Sequence, residues 1–170
     1  MSASEHRMSV VVMGVSGCGK STIGALLAAE LGAVFVDGDS LHPLENVQKM
    51  AAGTPLDDAD RGPWLVAVAE RLVDGDVVVA CSALKRAYRE AILATAPGAV
   101  FVHLDGAPEV LAARMRGRKD HFMPASLLES QLATLQRLES DEPGFAVDID
   151  APVNVVVADA LARLSARNAA

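Results

Sequence analysis

Short β-branched apolar runs alternate along this chain with longer segments whose apolar residues recur every three or four positions. The runs predict strands at Ser9–Met13, Val34–Val36, Val77–Cys81, Val100–Leu104 and Val147–Ile149. None alternates with polar residues, so each reads as a strand buried on both faces, the pattern of a parallel sheet covered by helices. Ile23, Leu26, Leu27 and Leu31 predict a buried helical stripe that Gly32 closes. Further helices are predicted around Glu45–Ala52, from Trp64 through Leu72, from the basic segment Ser82–Arg89, through Val110 and Leu111, and over Ala125–Leu138. Between them, Pro55–Pro63 reads as a turn-rich acidic connection carrying one base, Arg61. Val153–Val157 has strand propensity, yet Val153, Val156, Val157, Ala160, Leu161 and Leu164 repeat at helical spacing behind Asp150-Ala151-Pro152. That cap and period predict a helix.

The expected architecture is therefore α/β in three layers, a five-stranded parallel sheet with helices on both faces. One domain spans 1–170, with residues 1–8 frayed and a small lid at about 114–124. The composition agrees: of 170 residues, 51% are hydrophobic and 22% charged, as in an ordinary globular domain. The net charge of −7 leaves no general basic footprint for nucleic acid. No stretch approaches the ~20 apolar residues of a membrane helix, and the N-terminus lacks a leader-type apolar core. A cytoplasmic protein is expected. The two cysteines, Cys18 and Cys81, make no disulfide framework.

The chemistry begins where the first strand meets the first helix. Gly14-Val15-Ser16-Gly17-Cys18-Gly19-Lys20-Ser21 matches G-x-x-x-x-G-K-[ST] at every fixed position, and Thr22 continues into the helix. Glycines let successive N–H groups turn inward on an anion, and the helix N-terminus adds the positive end of its dipole. Lys20 would reach the β- and γ-phosphates of ATP and the Ser21 hydroxyl would ligate Mg²⁺.

Ligands in an open parallel sheet lie beyond the carboxyl ends of the strands. Asp37 and Asp39 follow the second strand, Ser82 and Lys85 the third. Asp39 is the candidate to orient and deprotonate an attacking hydroxyl, with an Asx-turn or N-cap role as the alternative. Asp37 reads as turn chemistry or an outer-sphere partner of magnesium, because no carboxylate follows the third strand. Arg61, Lys85 and Arg89 suit an anionic acceptor, Lys85 and Arg89 sharing a helical face by their i, i+4 spacing, while Arg86 is expected to point to solvent. Solvated helix faces remain the alternative for these bases. Arg114 and Arg118 lie in the most basic stretch; Arg118, beside Gly117, suits a closing lid that neutralises transferred charge, and Arg114 either the nucleotide or the preceding helix dipole. His42 and His121 could contact sugar hydroxyls or simply face solvent.

Taken together, these segments resemble the gluconate kinase (gluconokinase) family. The likeness rests on the phosphate loop, on Asp37-Gly38-Asp39 with Leu41-His42-Pro43 and Asn46, and on Lys49-Met50-Ala51 and Pro55-Leu56. Asp58, Asp60-Arg61 and Pro63-Trp64-Leu65 add to it, as do Cys81-Ser82-Ala83-Leu84-Lys85, Tyr88-Arg89, Arg118-Lys119, His121-Phe122, Gln131 and Val147-Asp148-Ile149-Asp150. Leu44 stands where many relatives carry an arginine. The resemblance implies strand order 2-3-1-4-5, a homodimer, and transfer of the ATP γ-phosphate to the 6-hydroxyl of D-gluconate. It implies Lys20, Asp39 and Arg118 as catalytic residues, Gly14 to Thr22 with Arg114 and Arg118 on ATP, and Asp39, His42, Arg61, Lys85, Arg89 and His121 on the acceptor. Another small-molecule kinase of this architecture, such as a shikimate kinase, would use the same bases and Asp39. A nucleotide-binding module without catalysis is the alternative from another class, although no N-K-x-D guanine signature is present.

Overall fold

The strands stack into one all-parallel sheet in the order β2-β3-β1-β4-β5: β1 (Ser9–Met13), β2 (Val34–Asp37), β3 (Val77–Ala80), β4 (Val100–Asp105) and β5 (Gly144–Asp148). The computed structural model describes residues 8–116 and 125–168. Register pairs Val10 with Val78 on one side of β1 and with Val100 on the other, so the glycine loop leaves the middle of the sheet. The expected strand order and layering are observed.

Period-two alternation divides the core. Val10, Val12, Val78, Val102 and Leu104 face one layer, formed by α1 (Lys20–Leu31), α5 (Pro108–Arg116), α6 (Ala125–Thr134) and α7 (Val153–Asn168). Val11, Met13, Val77, Val79 and Phe101 face the other, formed by α3 (Asp58–Val73) and α4 (Arg86–Thr95). A small helix, α2 (Leu44–Ala51), lies outside this sandwich. Truncating a fully buried leucine such as Leu27 costs about 2–5 kcal/mol in such a core.

Several boundaries differ from expectation. α3 begins at Asp58, well before Trp64, because Asp57 and Asp60 form a reciprocal capping box: Asp60 N–H donates to Asp57 at 2.8 Å and Asp57 N–H to Asp60 at 3.0 Å. Pro63 forgoes one ladder hydrogen bond in the helix interior without ending it. Arg61 thus stands on a helix, not in a turn. Leu26 is 42% exposed, as the buried stripe of α1 runs through Ile23, Gly24, Leu27 and Ala28. α6 stops at Thr134; Leu135 and Leu138 still pack on the core from the non-helical segment that follows. The valine-rich C-terminal segment is the helix α7. Met8, expected to fray, is tied to the sheet end: its N–H donates to Asp76 at 3.2 Å and its carbonyl accepts from Val77 at 3.1 Å. Cys18 and Cys81 are buried thiols, and burial pushes the Cys81 thiol up to about 12. Among the described residues, no helix is long and apolar enough to cross a membrane.

Candidate active site

The loop between β1 and α1 adopts the anion cradle that its glycines permit. Gly14, Gly17 and Gly19 have φ of 145°, 85° and 94°. At Gly14 a Cβ would lie 2.8 Å from the Cys18 sulfur and 3.0 Å from the Leu104 carbonyl oxygen, so no other residue fits. The loop takes oxygen acceptors readily: the Ser16 N–H donates to the Gln131 side-chain carbonyl at 2.6 Å. Lys20 Nζ folds back onto the Val15 carbonyl at 3.1 Å. Ser21 and Thr22 stand exposed at the start of α1, with Gly19 as its N-cap. Arg114, from α5, bonds the carbonyls of Ile149 and Ala151, and its guanidinium lies beside Gly19. A triphosphate fits the chemistry of this cradle: the Ser16 N–H already holds the Gln131 oxygen, and the Lys20 ammonium and the N-terminus of α1 belong to the same loop.

Beside it, residues Gly38–Leu41 form one 3-10 turn after β2. Gly38 presses on β3 so closely that a Cβ would collide with the Ala80 carbonyl oxygen. Asp37 caps the turn by accepting from Asp39 N–H at 3.0 Å, which is the turn role its Asp-Gly pair predicts. Asp39 is exposed, and its charge acts on His42. Trp64 pins the turn from α3 by donating to the Gly38 carbonyl at 2.8 Å, and its ring stacks on His42 at 4.3 Å between centroids. The buried Asn46 amide nitrogen donates to the Asp60 carbonyl at 2.8 Å and lies 3.2 Å from His42 Nδ1. His42 Nδ1 therefore accepts, and its proton sits on Nε2. Partial burial lowers the His42 pKa, with Arg61 adding to the shift and Asp39 opposing it.

Arg61 and Lys85 come together across α3 and the β3–α4 loop. Both cations lie 5.5 Å from the centre of the Tyr88 ring. Arg61 Nη1 is 3.2 Å from the Tyr88 oxygen and 3.3 Å from Asp58, which Lys85 approaches at 3.7 Å. Arg89 does not join them. Lys85 is the extended N-cap of α4 rather than a helical residue, so the i, i+4 argument fails, and the Arg89 side chain turns inward to Glu142. Arg86 is not free in solvent either: it pairs with Glu90, Glu139 and Asp141, and these hydrogen bonds raise its pKa and lower that of Asp141. Among the described residues no group of three or more Asp, Glu, His or Cys side chains gathers as a metal site.

Comparison with known proteins matches this geometry to one lineage. A family model described as "Shikimate kinase" matches residues 16–143. The gluconokinase of Gluconobacter oxydans (strain 621H) is 46% identical over 164 residues, covering 94% of this chain and 92% of that protein. The thermoresistant gluconokinase of Escherichia coli (strain K12) is 41% identical, covering 95% and 96%. The crystal structure of a gluconokinase from Sinorhizobium meliloti 1021 superposes with a TM-score of 0.87 at 50% identity, over 94% of this chain and 92% of that one.

This chain belongs to the gluconokinase family, within the P-loop kinases. It is accordingly an ATP-dependent kinase acting on a hydroxyl group. Of the residues expected to serve a gluconokinase site, the phosphate loop, Arg114, Asp39, His42, Arg61 and Lys85 lie along the carboxyl ends of β1, β2 and β3 or on the elements packed there. Arg118, His121 and the Gly117 hinge lie outside the described residues, with most of the lid. Sequence reasoning gave no role to Asp58, Tyr88, Gln131 or Glu142. A lone glutamine on an amphipathic helix and an acid on a charged helix face carry no signal until the fold supplies their partners.

Proposed function

We propose that this protein transfers the γ-phosphoryl group of ATP to the 6-hydroxyl of D-gluconate, giving 6-phospho-D-gluconate and ADP. The observation that carries the reading is the Arg61–Lys85 pair, two cations convergent on one point in an acidic chain, standing beyond the same sheet edge as the phosphate loop and Asp39. A monocarboxylate with hydroxyls along its chain matches that arrangement: the guanidinium of Arg61 can grip the carboxylate with two hydrogen bonds and Lys85 adds charge. His42 Nε2–H donates to a substrate hydroxyl. Arg89, committed to Glu142, takes no part in binding the acceptor directly.

In the reaction, Asp39 accepts the proton of the attacking hydroxyl as its oxygen bonds to the γ-phosphorus and the bond to the ADP oxygen breaks. Lys20 and the loop N–H groups stabilise the charge on the phosphoryl oxygens. Leaving its Val15 carbonyl costs Lys20 one hydrogen bond to a neutral acceptor, replaced by stronger ones to anionic phosphate oxygens. Mg²⁺, when bound, neutralises phosphate charge, and the exposed Ser21 hydroxyl would hold it. Arg114 stands beside Gly19 and serves the nucleotide, and Arg118 and His121 are assigned to the nucleotide and the acceptor. The enzyme acts as a cytoplasmic homodimer, with no nucleic-acid or membrane partner.

ADP release with Mg-ATP tests the assignment against gluconate, shikimate, AMP, adenylylsulfate and no acceptor. Release that requires gluconate is the expected result. Release with shikimate alone would keep the phosphate site and replace the acceptor. ATP binding without release on any acceptor would make the chain a nucleotide-binding module.

A further inference from the structure

The loop that carries Lys85 is held in an unfavourable shape by a buried ion pair from elsewhere in the fold. Ala83, wholly buried, has φ of 43°, a left-handed conformation uncommon for a residue with a side chain. Its neighbour Ser82 accepts a hydrogen bond from Gly14 N–H of the phosphate loop at 3.2 Å, and Lys85, two residues after Ala83, is the N-cap of α4. The loop thus runs from the nucleotide cradle to the acceptor cations; Ser82 is tied to Gly14 by its own carbonyl, so a misplaced Ala83 would move the Lys85 end.

What clamps it is Arg89. Its side chain is 0% exposed and that of Glu142 5%. Nε and Nη2 of Arg89 bond the two Glu142 oxygens at 2.7 and 3.1 Å, the fork-to-fork arrangement of the strongest ion pairs. Nη1 is left over, and it donates to the Ala83 carbonyl at 2.9 Å and the Leu84 carbonyl at 3.4 Å. Glu142 is fixed in turn by the Glu139 N–H at 2.8 Å; burial pushes its carboxyl up, but the Arg89 and Glu139 hydrogen bonds hold it below the usual range. The same return segment, residues 135–142, touches the loop a second time, where Gln136 N–H donates to the Leu84 carbonyl at 2.7 Å. A pair needed only to join α4 to that segment would not have to chelate consecutive carbonyls, since Arg86 already joins them through Glu139 and Asp141.

We propose that Arg89 and Glu142 are positioning residues for the acceptor site: together they hold Ala83 left-handed and so set Lys85 opposite Arg61. The inference rests on the acceptor reading above, and it makes Arg89 a residue that acts on the substrate without touching it.

Steady-state kinetics of Arg89→Lys, Ala83→Gly and the double variant test the idea. Lysine keeps the charge but cannot bond both carboxylate oxygens and both carbonyls, so the gluconate KM should rise about tenfold or more while the ATP KM holds. Glycine accepts φ of 43° without strain, so Ala83→Gly alone should leave the gluconate KM within about twofold of wild type. In the double variant the loop no longer needs the clamp. Its gluconate KM should return most of the way to wild type, while its melting temperature stays as low as that of Arg89→Lys. A KM that tracks melting temperature through all three variants, or a double variant no better than Arg89→Lys, would overturn the proposal. Should Arg89→Lys not fold, Glu142→Gln keeps the shape with a neutral partner, and the same Ala83→Gly rescue is expected of it; no rescue there overturns the proposal equally. Wild type that turns over another acceptor in place of gluconate defeats the substrate assignment alone, and the same variants then report on that acceptor.

Discussion

The Tyr88 hydroxyl donates to Asp58 at 2.6 Å, joining α4 to the first turn of α3. That bond, opposed by burial and assisted by Lys85 and Arg61, holds the Asp58 carboxyl below its usual range; burial and the same bond push the Tyr88 phenol up. Asp58 therefore stays ionised well into acid and Tyr88 stays protonated well above neutrality. Arg61 and Lys85 share this internal carboxylate, which on the proposed reading a substrate carboxylate replaces.

Arg61→Ala removes the only fork-shaped donor of the pair, since Lys85 is a point charge on a flexible stem. A hydrogen bond to a charged group contributes about 1.5–3 kcal/mol, so the gluconate KM should rise roughly tenfold or more. The ATP KM should not change. A rise in the ATP KM instead would assign Arg61 to the nucleotide.

Tyr88→Phe keeps the ring under both cations and deletes only the hydroxyl. Asp58 loses its hydrogen bond and its pKa should climb toward the ordinary aspartate value, measurable by NMR titration of the carboxyl carbon. One neutral-to-charged bond of this kind holds the cations in place indirectly, so the gluconate KM should rise by about fivefold, less than in Arg61→Ala. Equal effects of the two variants would mean that Tyr88, not Arg61, meets the substrate.

Lys20→Ala and Asp39→Asn separate two kinds of catalysis. In the proposed reaction Lys20 stabilises charge on the transferred group, and its loss should lower kcat about 10²–10³-fold. Asp39→Asn keeps the turn, because Asp37 accepts from the main-chain N–H of residue 39 and not from its side chain. Its kcat should fall roughly 10²–10⁴-fold with ATP affinity intact. An unchanged kcat would leave Asp39 a surface residue of the turn.

Much of this was legible in the residues because local chemistry repeated the global answer. The glycine loop and the paired periods of strand and helix each specify backbone shape over a few positions, and the fold follows them; α7 forms on its period, but it starts at Val153, so Pro152 precedes the helix and does not sit in its first turn. The start of α3 was not legible, since Pro63 reads as a breaker and the Asp57–Asp60 capping box competes with an equally good turn reading of the same acids. Arg89 shows the deeper limit. Its helical spacing from Lys85 suggested a shared surface, but Lys85 precedes the helix and Glu142 lies 53 positions away in the chain. No local pattern encodes that pair; only packing of the return segment against α4 creates it. Gln131 reaches the phosphate loop across 115 positions for the same reason.

His42 gives the site a pH dependence whose sign is set by the structure. Its pKa lies below 6.5, chiefly through burial, so it is neutral at pH 7 with Nδ1 accepting from Asn46. Protonation would set an N–H on Nδ1 against the Asn46 N–H, and the ring would lose its place on Trp64. The gluconate KM should therefore be flat above about pH 6.5 and rise as pH falls through the lowered pKa, and His42→Gln should abolish that rise. Linkage gives stability the same direction: between the folded pKa and about 6.5 the unfolded chain binds more protons, so the stability tied to neutral His42 is full above 6.5 and is lost below the folded pKa. Trp64 is the one tryptophan of the chain, and its fluorescence should follow the titration of the stacked imidazole in wild type and not in His42→Gln. A gluconate KM that rises toward acid equally in both proteins would move the titrating group elsewhere.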